Sequence, residues 1–490
     1  MHISVKEEIG NIRPFVPPIL VSFFPNINII CVSIFKFNFN CCIIREYGKG
    51  VVMKTLSILS TKLSAWGLHL IGRGGSMPGS IGCKVDANIL SKLKFNGPVI
   101  LVTGTNGKTS TANMITDLFE KAGYNVISNR KGDNLKAGIV TTLLTHAKLN
   151  GEIKANAVVL ECDELNVRHI LPFIPVTDFV VNNFFRDQLD RAREMEQLID
   201  SIEKVLPAYR GRLILNANDP NVVRLNLVAK NASFSYFGMD ENKYSVKTTK
   251  EASEGKFCPK CGARLEYSYY QYSHIGKFHC SKCDFQTPEM DICLKDIDLD
   301  KETFSSDGIH YKSPYEGMYS MYNCAVVLNV AKNYGISQDC VKSVFSHAPQ
   351  PAGRNETFTS KEQTCILNLV KNPTGANEVM KVIEKDDSDK TIVIVLNDRE
   401  QDGTDVSWIY DTFFEKIMKD STKEIICTGL RANDMALRIY YGGYKGPLSV
   451  VDTLDIAVKA ALATKRTTYA IATYTALLPT RNAIKKEMGL

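Results

Sequence analysis

Two series of short apolar runs, separated by stretches of helical periodicity, leave this chain few folds to choose from. The first series is PVILV (98–102), AVVLE (157–161), DFVVNNFF (178–185) and RLILN (212–216). The second is CILNLV (365–370), TIVIVLND (391–398), EIICTG (424–429), LSVVD (448–452) and TYAIATY (468–474). Runs this short and this apolar, with helical stretches such as 192–206 between them, predict mostly parallel sheets covered by helices on both faces. The proline- and glycine-rich SHAPQPAGRNE at 346–356 separates the two series and marks a domain boundary. The expectation is an α/β chain with a central domain at 53–348 and a smaller one at 349–490.

Residues 98–128 read as strand, loop, helix and strand, with Ala112, Ile115, Leu118 or Phe119, and Ala122 on one helical face. The loop is TGTNGKTST, and a strand before it with a helix after it is the context a phosphate-binding loop requires. Gly104 and Gly107 let backbone N–H groups turn inward around phosphate oxygens, and the helix start adds partial positive charge. Thr105 and Asn106 lie between them. Lys108 is placed to reach terminal phosphates and Thr109 to offer a hydroxyl to Mg²⁺. Val102 stands where the longer form of the motif has its first glycine, so this is the short version. In LECDE, Glu161 closes a strand at the sheet edge where ligands bind, as a direct or indirect Mg²⁺ ligand. Asp163 and Glu164 compete with it, and each of the three also reads as a solvated carboxylate at a strand end.

Fourteen cysteines in 490 residues suggest reduced thiols, with one metal site among them. Cys258-x-x-Cys261 and, eighteen residues on, Cys280-x-x-Cys283 match the spacing of four-thiolate zinc sites. Four thiolates fill the coordination sphere, so the expected Zn²⁺ is structural and staples an insertion at about 254–290. Pro259 and Gly262 suit the tight turns of such knuckles. His274 and His279 are alternative ligands, more naturally placed on the surface of the hairpin between the two cysteine pairs. The ribbon has few basic residues, and the whole chain sets 59 basic against 53 acidic residues for a net +6. Neither supports a nucleic-acid partner. With 44% hydrophobic and 23% charged residues the chain has an ordinary soluble mixture, which excludes a disordered or fibrous protein.

The first fifty residues are of another character. Residues 14–35 carry no charge and approach the length of a bilayer span, but Pro14, Pro17, Pro18 and Pro25 would each withdraw a backbone donor from a helix there. A secretory signal is opposed by Glu7 and Glu8 and by the want of a clear cleavage site. Residues 1–52 are therefore expected to be an extension preceding a start at Met53.

Taken together, TGTNGKTST, LECDE, VNNFFRDQLDR (181–191), YNCA (322–325) and GRNE (353–356) resemble the Mur ligase superfamily. The zinc ribbon, LVKNPTGANEV (369–379) and NDREQDGTDVSWIYD (397–411) narrow the resemblance to the MurT-type subunits of lipid II isoglutaminyl synthases, over about residues 53–490. The resemblance implies a Mur-ligase-type central P-loop domain with an inserted four-cysteine zinc ribbon, and a Rossmann-like C-terminal domain. It implies ATP-dependent amidation of the D-glutamate α-carboxyl in the lipid II stem peptide, through an acyl phosphate. Lys108 and the amides of Gly104 to Gly107 would hold the β- and γ-phosphates, with Thr109 and Glu161 on Mg²⁺. Asn323 would contact adenine, and Arg354 would reach the nucleotide from the domain junction. Ser320 stands where related ligases often carry another asparagine.

Ammonia must arrive unprotonated to attack, so a protected source is expected. No G-x-C-x-G nucleophile elbow occurs in the chain. The resemblance supplies the source as a separate GatD-like glutaminase subunit bound to the C-terminal domain in a heterodimer. Asp405 would complete its catalytic triad. Read from local sequence alone, Asp405 is a helix N-cap before VSWIYD. The implied setting is the cytoplasm, at the inner face of the membrane that holds lipid II. The rival readings are a self-contained Mur- or folylpolyglutamate-type amino-acid ligase and a nucleotide-binding or zinc-ribbon protein without catalysis.

Overall fold

The computed structural model describes residues 46–70, 75–130, 133–185, 195–249, 254–348, 353, 355–360 and 363–490. The uncharged 14–35 segment, Cys31, Cys41, Cys42, Arg354 and much of the 346–356 linker lie outside the described residues. The chain divides into two compact units, Met1–Val52 and Met53–Leu490. The first helix is α1 (Glu46–Leu70), and α2 (Met77–Val85) follows it.

The larger sheet is built from β1 (Val99–Thr103), β2 (Val126–Ser128), β3 (Ala157–Glu161), β4 (Asp178–Val181), β5 (Arg212–Asn216) and β6 (Ser233–Met239). After the hairpin β7 (Leu265–Tyr272) and β8 (Ile275–Cys280) it is completed by β9 (Ile292–Asp298), β10 (Thr303–Ser306) and β11 (Ile309–Lys312). The order is β11-β10-β9-β6-β5-β4-β1-β3-β2, parallel from β2 through β9 and antiparallel at the β9-β10-β11 edge. All five residues of β1 are buried, as a central parallel strand requires. Side chains alternate across the sheet: Ile100 and Val102 join a core with Ile115, Leu118 and Phe119 of α3 (Lys108–Lys121). Val99 and Leu101 join the opposite core with Ile139, Leu143 and Leu144 of α4 (Lys136–His146). Each such fully buried side chain contributes roughly 1.5–3 kcal/mol from its apolar surface.

The second sheet has β12 (Glu356–Thr359), β13 (Thr364–Leu369), β14 (Lys390–Val395), β15 (Thr422–Thr428), β16 (Leu448–Val450) and β17 (Thr467–Ala472) in the order β12-β13-β17-β14-β15-β16. Only β12 is antiparallel. In β14 the same division appears, with Ile392 and Ile394 in one core and Val393 and Val395 in the other. All of the expected apolar runs thus form strands, and the helical stretch 192–206 contains the helix Met195–Glu203.

The strands β6 and β9 to β11 were not anticipated. ICLKDID, TFSS and IHYK are short and polar-alternating because they form the antiparallel edge, where one face meets solvent. β6 pairs directly with β9, Phe237 opposite Ile292, so the β7–β8 hairpin and the cysteine knuckles are an excursion between two neighbouring strands.

Candidate functional site

The loop between β1 and α3 sits at the carboxyl end of the sheet, flanked by β3 and β4. Register sets Val102 opposite Glu161 and Thr103 opposite Val181. Gly104 has φ +128° and Gly107 φ +85°, conformations open to glycine and costly for other residues. A Cβ at position 107 would lie 2.3 Å from Asn323 Oδ1. Lys108 opens α3 and turns back over the loop. Its Nζ donates to Gly104 O at 2.6 Å and to Glu164 Oε1 at 3.0 Å, with both side chains nearly buried. Thr109, half-buried in the first turn, has no partner for its hydroxyl among the described residues.

The three carboxylates of LECDE fall into separate roles. Asp163 caps the short 3₁₀ turn Glu164–His169, accepting from Leu165 N at 3.1 Å and from Asn166 Nδ2. Glu164 neutralises Lys108. Glu161 is buried, with Oε1 accepting from Asn134 Nδ2 at 2.9 Å, while Asn129 pairs with both its backbone N–H and C=O. Glu161 is thus fixed by protein hydrogen bonds, and its carboxylate and the Thr109 hydroxyl are oxygen donors of the kind that a hard cation such as Mg²⁺ takes.

A second layer of amides braces the loop. Asn183 accepts from Asn106 N at 2.8 Å and donates to Asn106 O at 3.0 Å, and Asn182 donates to Thr111 Oγ1. The Thr105 hydroxyl is bonded to both the backbone C=O and the N–H of Phe185. Sequence reading used Asn182 and Asn183 only as part of a family pattern. The signal was available: two amides directly after the strand that pairs with the loop's own strand. Asn323 lies on α5 (Met318–Tyr334), buried beneath the loop, accepting from Thr111 Oγ1 at 3.2 Å. Its Nδ2 is buried with no partner among the described residues.

The second sheet closes over this loop. Asn372 caps α6 (Pro373–Lys385) by accepting from Gly375 N at 2.8 Å, and its Nδ2 lies 3.4 Å from Asn106 Oδ1. Between the two sheets is a cavity of about 930 Å³ that reaches Asn106. Glu302 and Glu316 line it from the side of the larger sheet, and Lys371, Lys381 and Lys416 from the side of the second. Asn355, at φ +46°, donates to Glu316 Oε2 at 2.7 Å and, through its backbone, to Asn368 Oδ1 at 2.9 Å. Burial, with Glu302 nearby, raises the Glu316 carboxyl above its ordinary pKa. Neighbouring Arg354 is outside the described residues.

Asp405 is separate from this cavity. It is partly exposed, and its Oδ1 accepts from Ser407 N at 2.8 Å; the cap position of the 3₁₀ turn Ser407–Asp411 is Val406, so Asp405 makes an Asx turn one residue earlier instead of the expected helix N-cap. Asp402, in the same loop, is buried and bonded to Thr475 and to Arg399 N, so the loop is moored to the helix Tyr474–Met488.

In the inserted ribbon the four sulfurs of Cys258, Cys261, Cys280 and Cys283 all lie within 4.8 Å of one another. The pairs Cys258–Cys283 and Cys261–Cys280 are 3.5 Å apart, close to the roughly 3.8 Å edge of a tetrahedron with Zn–S near 2.3 Å. Gly262, at φ +75°, forms the first knuckle by donating to Cys258 O. Around the sulfurs the apolar cluster is small, comprising Val223, Leu265, Phe278 and Phe285 besides two of the cysteines. Metal binding should therefore supply most of the ribbon's folding energy. Protein with Cys258→Ser and Cys283→Ser should lose about one zinc per chain in elemental analysis, and proteolysis should cut within 254–290. Retained zinc, or an equally resistant ribbon, would sink that expectation.

His279 is half-exposed beside Glu266, as expected for the hairpin surface. His274 corrects the expectation: it is fully buried. It sits at the hairpin tip, which enters the central domain. There its Nε2 is 3.2 Å from Asp219 Oδ1 and its ring packs on Phe185 at 4.8 Å. Asp219 also accepts from Phe184 N, so the ribbon bears on the same segment that braces the phosphate loop. Burial works against the charged ring, but Asp219 and Glu254 outweigh it and leave the His274 pKa above its ordinary value. A raised native pKa means that the pair's stabilisation is complete below the unfolded value and fades as pH rises through the native one. Denaturation midpoints should fall through that range in the native chain and much less in His274→Gln. Parallel curves would refute the link.

Comparison with known proteins gives two family matches, the Mur ligase middle domain over residues 102–331 and the MurT ligase C-terminal domain over 369–477. The chain is 32% identical to the lipid II isoglutaminyl synthase (glutamine-hydrolyzing) subunit MurT of Staphylococcus aureus strain COL, over 83% of this chain and 92% of that one. It is 32% identical to the protein of the same description from Streptococcus pneumoniae strain R6, over 89% and 99%. Among solved structures, a pseudomurein peptide ligase type C from Methanothermus fervidus shares the fold, with a TM-score of 0.62 at 20% identity, covering 82% of this chain and 81% of that one.

Proposed function

Because the chain belongs to the MurT family of Mur-type ligases, we propose that it is the ATP-consuming subunit of an enzyme that amidates the D-glutamate α-carboxyl of the lipid II stem peptide. The observation that carries this reading is the phosphate loop, with Lys108 turned back over it and its Asn106 meeting Asn372 at one end of the cavity between the two sheets. A nucleotide's terminal phosphate and an acceptor carboxylate would meet there.

The chemistry follows from the poor electrophilicity of a carboxylate. Its oxygen attacks the γ-phosphorus, the bond to the β-phosphate oxygen breaks, and ADP departs. The resulting acyl phosphate has a good leaving group, so ammonia adds to the carbonyl and phosphate is expelled, with one proton lost from nitrogen. Little covalent work falls to the protein; positioning and charge neutralisation dominate. Lys108 would exchange Glu164 for phosphate oxygens, and the loop N–H groups would hold the remainder. Asn323, with an unpartnered Nδ2 beneath the loop, is available to the nucleotide. Mg²⁺, when bound by Thr109 and Glu161, would offset the negative charge of the phosphates.

Ammonia is assigned to a separate glutaminase subunit on the C-terminal domain, with Asp405 completing its triad. The relatives are described as subunits of a glutamine-hydrolyzing synthase, which supports a partner of this kind. The domain limits 53–348 and 349–490, and the action of the complex at a membrane face, belong to the same proposal. Among the described residues no helix is long and apolar enough to cross a membrane.

The test offers the purified chain ATP and lipid II with ammonium, glutamine or free amino acids, with and without a glutaminase subunit. The proposal expects amidation with ammonium by the chain alone, and with glutamine only when the subunit is present. Ligation of an amino acid would overturn it in favour of a self-contained ligase.

A further inference from the structure

α1 carries an apolar stripe that the fold turns outward. Leu56, Leu59, Leu63, Trp66 and Leu70 recur at spacings of three and four, so they share one face, and they are 38–66% exposed. The opposite face is locked to the body. Ser57 Oγ donates to Gly82 O at 2.8 Å, Ile58 is fully buried, and a Cβ at Gly82 would lie 2.3 Å from Thr61 Oγ1. The helix cannot roll to hide its leucines. Trp66, one of two tryptophans in the chain, is 66% exposed within this stripe.

The same stretch of sequence is rich in positive charge. Between Met53 and Phe95 the sequence has Lys54, Lys62, Arg73, Lys84, Lys92 and Lys94 against the single acid Asp86, nearly the whole net charge of the chain. Lys62, Lys84 and Lys154 have no carboxylate partner among the described residues. Burial and then the proximity of Lys154 lower the Lys62 pKa, so these two cations lie near each other.

We propose that this face of α1 docks on an anionic bilayer surface, with the stripe seated at the boundary of headgroups and acyl chains and the lysines on the lipid phosphates. The proposal rests on the reading that the substrate is lipid-linked. A second copy of the chain is the poorer occupant. A helix pair through the stripe would be flanked by Thr55, Lys62 and His69 on one side and Met53, Ser60 and Gly67 on the other, with no acid to meet Lys62.

The test is flotation of the full chain with phosphatidylglycerol–phosphatidylcholine vesicles, and with phosphatidylcholine alone, all lacking lipid II. Binding is expected on the anionic vesicles, with a blue shift of tryptophan emission. It should weaken about tenfold or more in Leu63→Ser/Trp66→Ser and, separately, in Lys62→Glu/Lys84→Glu. Circular dichroism confirms folding of each variant. No flotation of the native chain, or equal flotation of all three, would overturn the proposal. So would light scattering that shows a dimer dispersed by the leucine–tryptophan variant without vesicle binding. Amidation of a soluble stem-peptide analogue, assayed in parallel, should be unchanged in both variants. Its absence in the native chain would count against the substrate reading and leave the vesicle result standing.

Discussion

Replacing Lys108 by alanine should lower ATP-dependent amidation by about 10²- to 10³-fold, the scale found when one preorganised charge or donor is removed from a polar site. The effect has two components that must be separated. In the absence of nucleotide the ammonium is bonded to Glu164 at 3.0 Å, both groups being nearly buried. Removing the cation leaves a buried carboxylate unpaired, which costs about 3–5 kcal/mol of stability. Part of any loss could then be a loss of folded protein. The double variant Lys108→Ala/Glu164→Gln removes that unpaired charge while leaving the phosphates without their cation. Its thermal midpoint should return toward the native value while turnover, measured as ADP release with lipid II and ammonium, stays low. Recovery of turnover together with stability would show that Lys108 serves the fold alone.

The second large effect belongs to Asp405. If it orients a partner's histidine, Asp405→Asn should depress glutamine-dependent amidation by about 10⁴-fold, because a neutral amide favours the wrong imidazole tautomer. The substitution is chosen from the structure. Asp405 already accepts from Ser407 N in an Asx turn, a bond that an asparagine side chain makes as well. The loop should therefore keep its shape, moored as it is through Asp402 to Thr475. The ammonium-driven rate of the same variant should be unchanged. Equal rates with glutamine in variant and native complexes would remove Asp405 from the triad, and a fall in both reactions would indicate a distorted C-terminal domain.

What was readable in the chain depended on whether a signal lay in one stretch or was assembled from several. β1, β3 and β5 were visible because a strand covered on both faces must be apolar throughout. The phosphate loop was visible because its glycines and lysine are contiguous. The bracing amides Asn182, Asn183 and Asn372 come from other strands and from the other domain, and asparagine alone carries no local signature for such a role. Spacing could not tell Glu161, Asp163 and Glu164 apart, whereas in the structure each has its own partners. His274 was misjudged for a related reason. A polar residue at a hairpin tip normally faces water, and only the position of Asp219 makes a buried seat for it.

The direct pairing of β6 with β9 gives the ribbon an unusual standing. Its two ends are pinned a strand's width apart by the sheet itself, so the entropy of closing the excursion grows only with the logarithm of its length. A segment hung from such a clasp can be acquired, enlarged or lost without altering the order of any strand. What then anchors its far end is the seat of the hairpin tip, His274 against Asp219 and Gly276 against Asn218. A chain that discarded the ribbon would keep its sheet intact but would have to fill the vacated space beside Phe185, one hydrogen bond away from the phosphate loop.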